Sequence, residues 1–147
     1  MDEVQTGLMR TGKMFGFQWE ALVPDMLVMG KGLAGGLPVG AVLSSTETLA
    51  KLGVGGHTST MAGSPLVCAA GSATLEALEE EVGEGDVARR SSLFYESLGN
   101  CSGLKVLREL RGRGLMIGLE LRLEGEAVLN SLATLGVLAL SAGRNVV

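Results

Sequence analysis

Charge is scarce in this sequence: Asp, Glu, Lys and Arg together make up 19% of its 147 residues, below the roughly 25% usual for soluble domains. Glycine is abundant, at 23 residues, against an average of about 7%. Much apolar and backbone surface is thus left with few solubilising groups, which predicts a chain that oligomerises or was cut from something larger. The few basic residues are scattered and the formal net charge is -4, so no cationic stripe is seen to follow a phosphate backbone and nucleic-acid binding is not expected. Long hydrophobic runs are missing too. The longest stretch without Asp, Glu, Lys or Arg, Leu52 to Leu75, is broken throughout by Ser, Thr, His, Gly and Pro, and no membrane span is expected. Met1 opens no signal peptide. Cys68 and Cys101 stand in unrelated contexts, which argues against both a disulfide framework and a zinc site. With His57 as the single histidine, a metal cluster is not expected either. A soluble chain in a reducing, cytoplasmic compartment is the expectation.

Asp2 and Val4 have strand spacing and lead into the turn-rich "TGLMRTGK". Residues 25 to 30 form a short apolar run, followed by a glycine-rich loop and a second strand candidate, "PVGAVLSS". A short helix is predicted over Thr46 to Leu52. "GGHTSTMAGSP" reads as a loop, and a longer helix over Pro65 to Glu80 starts with Pro in its first turn and Ser64 as its cap. The acidic run "EALEEEVGEGD" reads as a solvated helix end closing at Gly83 or Gly85. Beyond it the pattern predicts a helix over Val87 to Leu98, strands near Leu104 to Glu109 and Leu115 to Leu121, a helix from Glu124 to Leu135, and a short strand near Val137. The final "GRNVV" enters a further strand. Strands alternating with helices predict an α/β architecture.

The conspicuous motif is "GKGLAGG" after the first strand. Gly30, Gly32 and Gly35 satisfy the dinucleotide pattern GxGxxG, in which a helix must begin on the glycines. Here Gly36 and Pro38 interrupt the first turns, and the region around Lys51, where a ribose-binding acid should stand, has no carboxylate nearer than Glu47. A P-loop would need Ser or Thr after the lysine, where Gly32 stands. Two readings of Lys31 remain: a solvated turn residue, or an amine with space cleared around it, partly desolvated and able to form an imine. Asp2 beside a glycine turn supplies a carboxylate. The hydroxyls of "HTSTMAGSP" precede a helix N-terminus, a natural place for a phosphate. Acid, amine and phosphate anchor are the minimum equipment for pyridoxal phosphate.

Together, "DEVQTG", "RTGK", "GKGLAGGLPVGA", "HTSTMAGSPL" and "RGRGLMIGLEL" resemble, in order and spacing, the class III pyridoxal-phosphate aminotransferases. Within that family the resemblance is to the acetylornithine/ornithine type, including relatives that act on lysine held by an amino-group carrier protein. It implies an α/β fold of fold-type I, with residues 1–82 in the large cofactor domain, built on a mainly parallel sheet, and 83–147 in an incomplete small C-terminal domain. It also implies that Lys31 forms the imine with the cofactor and shuttles the substrate proton. Asp2 pairs with the pyridine nitrogen, Val4 packs on the ring and Gln5 approaches the phenolic oxygen. Thr60 reaches the cofactor phosphate of the partner subunit, making the intact enzyme a homodimer. His57 and Arg10 are assigned supporting roles in their loops, and Phe17 and Trp19 packing roles.

Met9, Thr58 and Ala62 stand where glycine is common in the family, Met61 where an aromatic is common and Ser64 where asparagine is common. Family members are much longer, so the chain reads as a fragment. The implied reaction exchanges the terminal amine of an N-acetylornithine-like or carrier-linked lysine-like donor with 2-oxoglutarate, in arginine or lysine biosynthesis. Alternatives are another ω-amine specificity, such as ornithine or 4-aminobutyrate, and a noncatalytic truncated remnant.

Overall fold

The computed structural model of the chain describes residues 1–101 and 103–147; Glu81, in the acidic run, is described by its backbone alone. Two compact units are formed, Met1–Val87 and Ala88–Val147.

In the first unit β1 (Met26–Met29) pairs antiparallel with β2 (Ala41–Ser44), Met29 opposite Ala41 and Met26 opposite Ser44. Alternation along β1 buries Leu27 and Met29 on one face. With Leu33 they form the core, against which Leu8, Phe15, Phe17, Val39, Ala41 and Leu75 pack. Phe15 and Phe17 stack with ring centroids 5.7 Å apart, in keeping with the packing role expected of Phe17. Between the strands the glycine loop makes one short 3-10 helix, Lys31–Ala34, closed by Gly35 at φ 62°. Gly36 follows at φ 103°, and this left-handed pair is open to glycine but strained for other residues. The loop therefore turns the chain back on itself, and β1 and β2 run antiparallel rather than in the parallel manner expected of the whole sheet. The parallel pairing among the described residues is a single bridge between Asp2 and Val28.

A short helix, α1 (Thr46–Ala50), is capped by Ser45, whose Oγ accepts from the Thr48 amide at 3.2 Å. The longer α2 (Pro65–Ala77) starts with Pro in its first turn, as predicted. Ser64 does sit at its cap position, but its hydroxyl makes no capping bond; its carbonyl, instead, accepts from the Cys68 amide at 2.9 Å. α2 lies against the Lys31–Ala34 helix closely enough that a Cβ on Gly71 would come 3.5 Å from the Leu33 carbonyl oxygen. It continues through a π-helical turn, Leu78–Val82, and closes at Gly83, where φ is 57°. A third helix, α3 (Gly83–Gly99), follows directly.

In the second unit β3 (Leu107–Arg113) and β4 (Met116–Leu121) form an antiparallel hairpin with a register shift between Leu107 and Glu109. Glu109 stands opposite Glu120, a like-charge pair that would be destabilising alone. Arg108, 2.9 Å from Glu120, and Arg111, bonded to both carboxylates, offset it. α4 (Gly125–Thr134) follows. The chain then returns along β4: the Leu121 amide donates to the Asn145 carbonyl at 2.7 Å, and Val147 and Leu119 exchange bonds of 3.0 and 2.7 Å. The strand entry predicted for "GRNVV" is thus present. The strand predicted near Val137 is not: residues 137–140 form no regular element, and Leu138 is 92% exposed. A strand needs a partner for its backbone groups, and the Val137 amide donates instead to the Leu132 carbonyl at the end of α4.

Candidate functional site

The expected site residues Asp2, Val4, Gln5 and Lys31 converge at the C-terminal end of β1. Two backbone bonds align the N-terminus with β1: Val28 N donates to Met1 O and Glu3 N to Val28 O, both at 2.9 Å. Asp2 is exposed, and its Oδ1 accepts from the Val4 amide at 3.0 Å. That local bond ends the extended segment, so Val4 begins a turn instead of continuing a strand, as the sequence spacing had implied. Asp2 Oδ2 makes no hydrogen bond among the described residues. Val4 faces the β1 end, where a Cβ on Gly30 would meet its Cγ1 at 3.4 Å. Gly30 thus permits a close approach between the turn and the residue preceding Lys31.

Lys31 starts the 3-10 helix with φ 47°, in the left-handed region, which non-glycine residues enter at a cost of roughly 1–2 kcal/mol. Its Nζ donates to Gln5 Oε1 at 2.8 Å. The side chain is exposed, contrary to the partial desolvation expected, because Gly32, Gly35 and Gly36 beside it are exposed as well and bring no side-chain wall. The solvated-turn reading is incomplete in turn, since the amine is held by a partner distant in sequence.

Thr60 is not brought to this cluster. It lies in an exposed turn and makes no hydrogen bond to Asp2, Gln5 or Lys31 among the described residues. His57 and Arg10 are exposed. Trp19 is exposed, donates from its ring nitrogen to the Thr11 carbonyl at 3.2 Å and lies under the Lys13 ammonium at 4.6 Å.

Sequence reasoning passed over Glu3. Its carboxylate is 3% exposed and accepts from the Gly16 amide at 3.0 Å, the Phe17 amide at 2.8 Å and the Thr6 hydroxyl. Gly16 and Phe17 open a 3-10 helix, Gly16–Glu20, so Glu3 satisfies N–H groups that the helix itself leaves unpaired. The available signal was alternation: if Asp2 and Val4 share a face, Glu3 points to the opposite, inward one.

A groove of about 670 Å³, lined by residues including Arg108, Arg122, Glu124 and Arg144, lies in the second unit and includes none of these residues. No group of three or more His, Cys, Asp or Glu among the described residues could hold a metal ion, and no described helix is long and apolar enough to cross a membrane.

An exposed amine with a fixed amide partner, and a nearby carboxylate with one oxygen unengaged, fit the functional groups of pyridoxal phosphate: an aldehyde, a phenolic oxygen and a ring nitrogen that binds a proton. Comparison with known proteins points the same way. The family described as aminotransferase class-III matches residues 1–147. The chain is 42% identical over 149 residues to an acetylornithine aminotransferase of Caldanaerobacter subterraneus, covering 99% of the chain and 37% of that relative. It is 40% identical over 147 residues to a LysW-aminoadipate semialdehyde/glutamate semialdehyde transaminase of Sulfolobus acidocaldarius, covering 99% of the chain and 38% of that relative. Among solved structures, the ornithine aminotransferase of Toxoplasma gondii, described with PLP at partial occupancy in its active site, superposes with a TM-score of 0.87 at 32% identity, over 99% of this chain and 35% of that one. The chain spans little more than a third of the length of these relatives. Matched along its whole length, it belongs to the class III aminotransferases, a family of pyridoxal-phosphate enzymes.

Proposed function

We propose that the protein carrying this chain is an aminotransferase that moves the terminal amine of an N-acetylornithine-like or carrier-linked lysine-like donor to 2-oxoglutarate. The observation that carries the reading is the Lys31–Gln5 hydrogen bond, 2.8 Å long, on an exposed amine at the end of the strand paired with Asp2. The relatives named for acetylornithine and for the LysW-linked semialdehyde support this kind of donor.

In this reading Lys31 would hold the cofactor through Nζ, and the same nitrogen would hold and move the substrate proton. When bound, the cofactor supplies an electron sink for the carbanionic state. The Asp2 carboxylate holds the proton on the ring nitrogen. Val4 packs on the ring, and Gln5, the partner of the lysine amine, donates to the phenolic oxygen through its amide nitrogen. Thr60 serves the phosphate bound to a second copy of the chain, which makes the homodimer the working unit. Residues 1–82 belong to the cofactor domain and 83–147 to the small domain.

Ornithine itself as donor is the second reading, favoured by the Toxoplasma structure. The test is to incubate the purified protein with pyridoxal phosphate and follow its visible absorbance, then to supply N-acetylornithine, ornithine or 4-aminobutyrate with 2-oxoglutarate and measure glutamate. A visible band that is lost in Lys31→Ala, with N-acetylornithine the preferred donor, is expected. A band that persists in Lys31→Ala would overturn the assignment of Lys31.

A further inference from the structure

We propose that Glu3 is the positioning residue of this centre: through its buried carboxylate it fixes the turn that delivers Gln5 to Lys31. The inference rests on the reading of Asp2, Gln5 and Lys31 given above. Glu3 connects three segments at once. Its backbone N–H donates to Val28 in β1 at 2.9 Å, and its carbonyl accepts from the Gly7 amide at 3.0 Å, closing the turn that contains Gln5. Its carboxylate takes the Gly16 and Phe17 amides at 3.0 and 2.8 Å together with the Thr6 hydroxyl. Gln5 itself lies between Val4, which is covalently linked to Glu3, and Thr6, whose hydroxyl donates to the Glu3 carboxylate, so its backbone has little freedom to withdraw.

The surrounding packing is shaped to this carboxylate. A Cβ on Gly16 would come 3.2 Å from Glu3 Oε2, and one on Gly7 would come 2.9 Å from the Glu3 carbonyl oxygen. Larger residues would push apart the segments that Glu3 joins. Three donors directed at one buried carboxylate also explain why a neutral substitute is inadequate. Glutamine offers one acceptor oxygen and an NH2 group, which would face an N–H donor and leave it unpaired. Exposed Asp2 and Gln5 would thus owe their placement to the inward-facing residue near them, which touches neither Lys31 nor a substrate.

The test reads the lysine in the apoprotein, where no cofactor is required. An amine-acylating reagent is added below stoichiometry, and modification of Lys31 is measured by peptide mass spectrometry against exposed Lys51 as internal standard. Gln5→Ala frees the amine and is expected to raise Lys31 labelling roughly five- to ten-fold, the scale of one solvent-exposed hydrogen bond. Glu3→Gln is expected to give a comparable rise, Glu3→Asp a smaller one, and the double variant Glu3→Gln/Gln5→Ala no more than Gln5→Ala alone, because both act on one contact. Unchanged labelling in Glu3→Gln, or effects that multiply in the double variant, would overturn the proposal. If Glu3→Gln does not fold, Thr6→Val carries the test: it removes one donor and keeps the charge, and it must raise labelling for the proposal to stand. Failure of the function reading would show separately, as a missing cofactor band in the unsubstituted protein.

Discussion

The amine of Lys31 and the side-chain oxygen of Gln5, from segments separated by the whole 3-10 helix Gly16–Glu20 and β1, meet at 2.8 Å. The lysine backbone is in the left-handed region at φ 47°, and such strain persists where surrounding contacts over-determine it. Removing the partner in Gln5→Ala leaves the amine without its acceptor. We expect kcat to fall about ten-fold, the value of one lost charge-assisted hydrogen bond, with the melting temperature nearly unchanged because Gln5 is exposed. Steady-state kinetics alongside thermal melting checks both halves.

Asp2→Asn keeps the shape of the side chain and its bond to the Val4 amide but removes the negative charge that would hold a proton on the ring nitrogen. In the assigned role this lowers kcat by on the order of 10²-fold, while Lys31 still takes up the cofactor. Retained visible absorbance with near-normal turnover would remove Asp2 from that role.

In the second unit Gly112→Ala is expected to be severe. Gly112 has φ 150°, and a Cβ there would collide with the Met116 carbonyl oxygen and come 2.7 Å from the Tyr95 hydroxyl. The hairpin backbone would have to open and Tyr95 to move as well, at a cost of about 3 kcal/mol or more. Chemical denaturation of the variant measures it.

Tyr95 offers a contrasting change. Its hydroxyl is buried without a hydrogen-bond partner among the described residues, and burial raises its pKa above the usual phenol value of 10.0. Tyr95→Phe therefore removes an unsatisfied polar atom and is expected to leave stability unchanged or raise it by about 1 kcal/mol. The sign with pH follows from linkage: the folded state holds the phenol proton more tightly than the unfolded state, so the stability present below pH 10 declines as pH rises through the raised value. Denaturation curves at pH 9 and above should show less alkaline loss for Tyr95→Phe than for the unsubstituted protein.

The elements legible in the sequence were those whose signals are local. Pro65 at the head of α2 and Gly83 at the close of the π turn mark boundaries through their own backbone chemistry, and both do so in the structure. Ser64 and Val137 misled for the same reason: a cap hydroxyl and a β-branched residue express a preference only where a partner is in reach. Met9 shows a different limit. It stands where glycine is common in the family and retains the left-handed turn at φ 65° while 8% exposed, so burial holds a conformation that its own side chain disfavours.

At the site, residue types pointed to Lys31 as an amine and Asp2 as an acid, and the glycines to close backbone approach, because glycine alone has no Cβ to obstruct it, whereas Val4 and Gln5 came only from the family resemblance. Which atom holds the Lys31 amine, the exposure of that amine and the role of Glu3 were decided by tertiary structure. Hydrogen bonds between Glu3 and Gly16, or Gln5 and Lys31, depend on how β1 and the turns come together in space, and a one-dimensional pattern does not contain those distances.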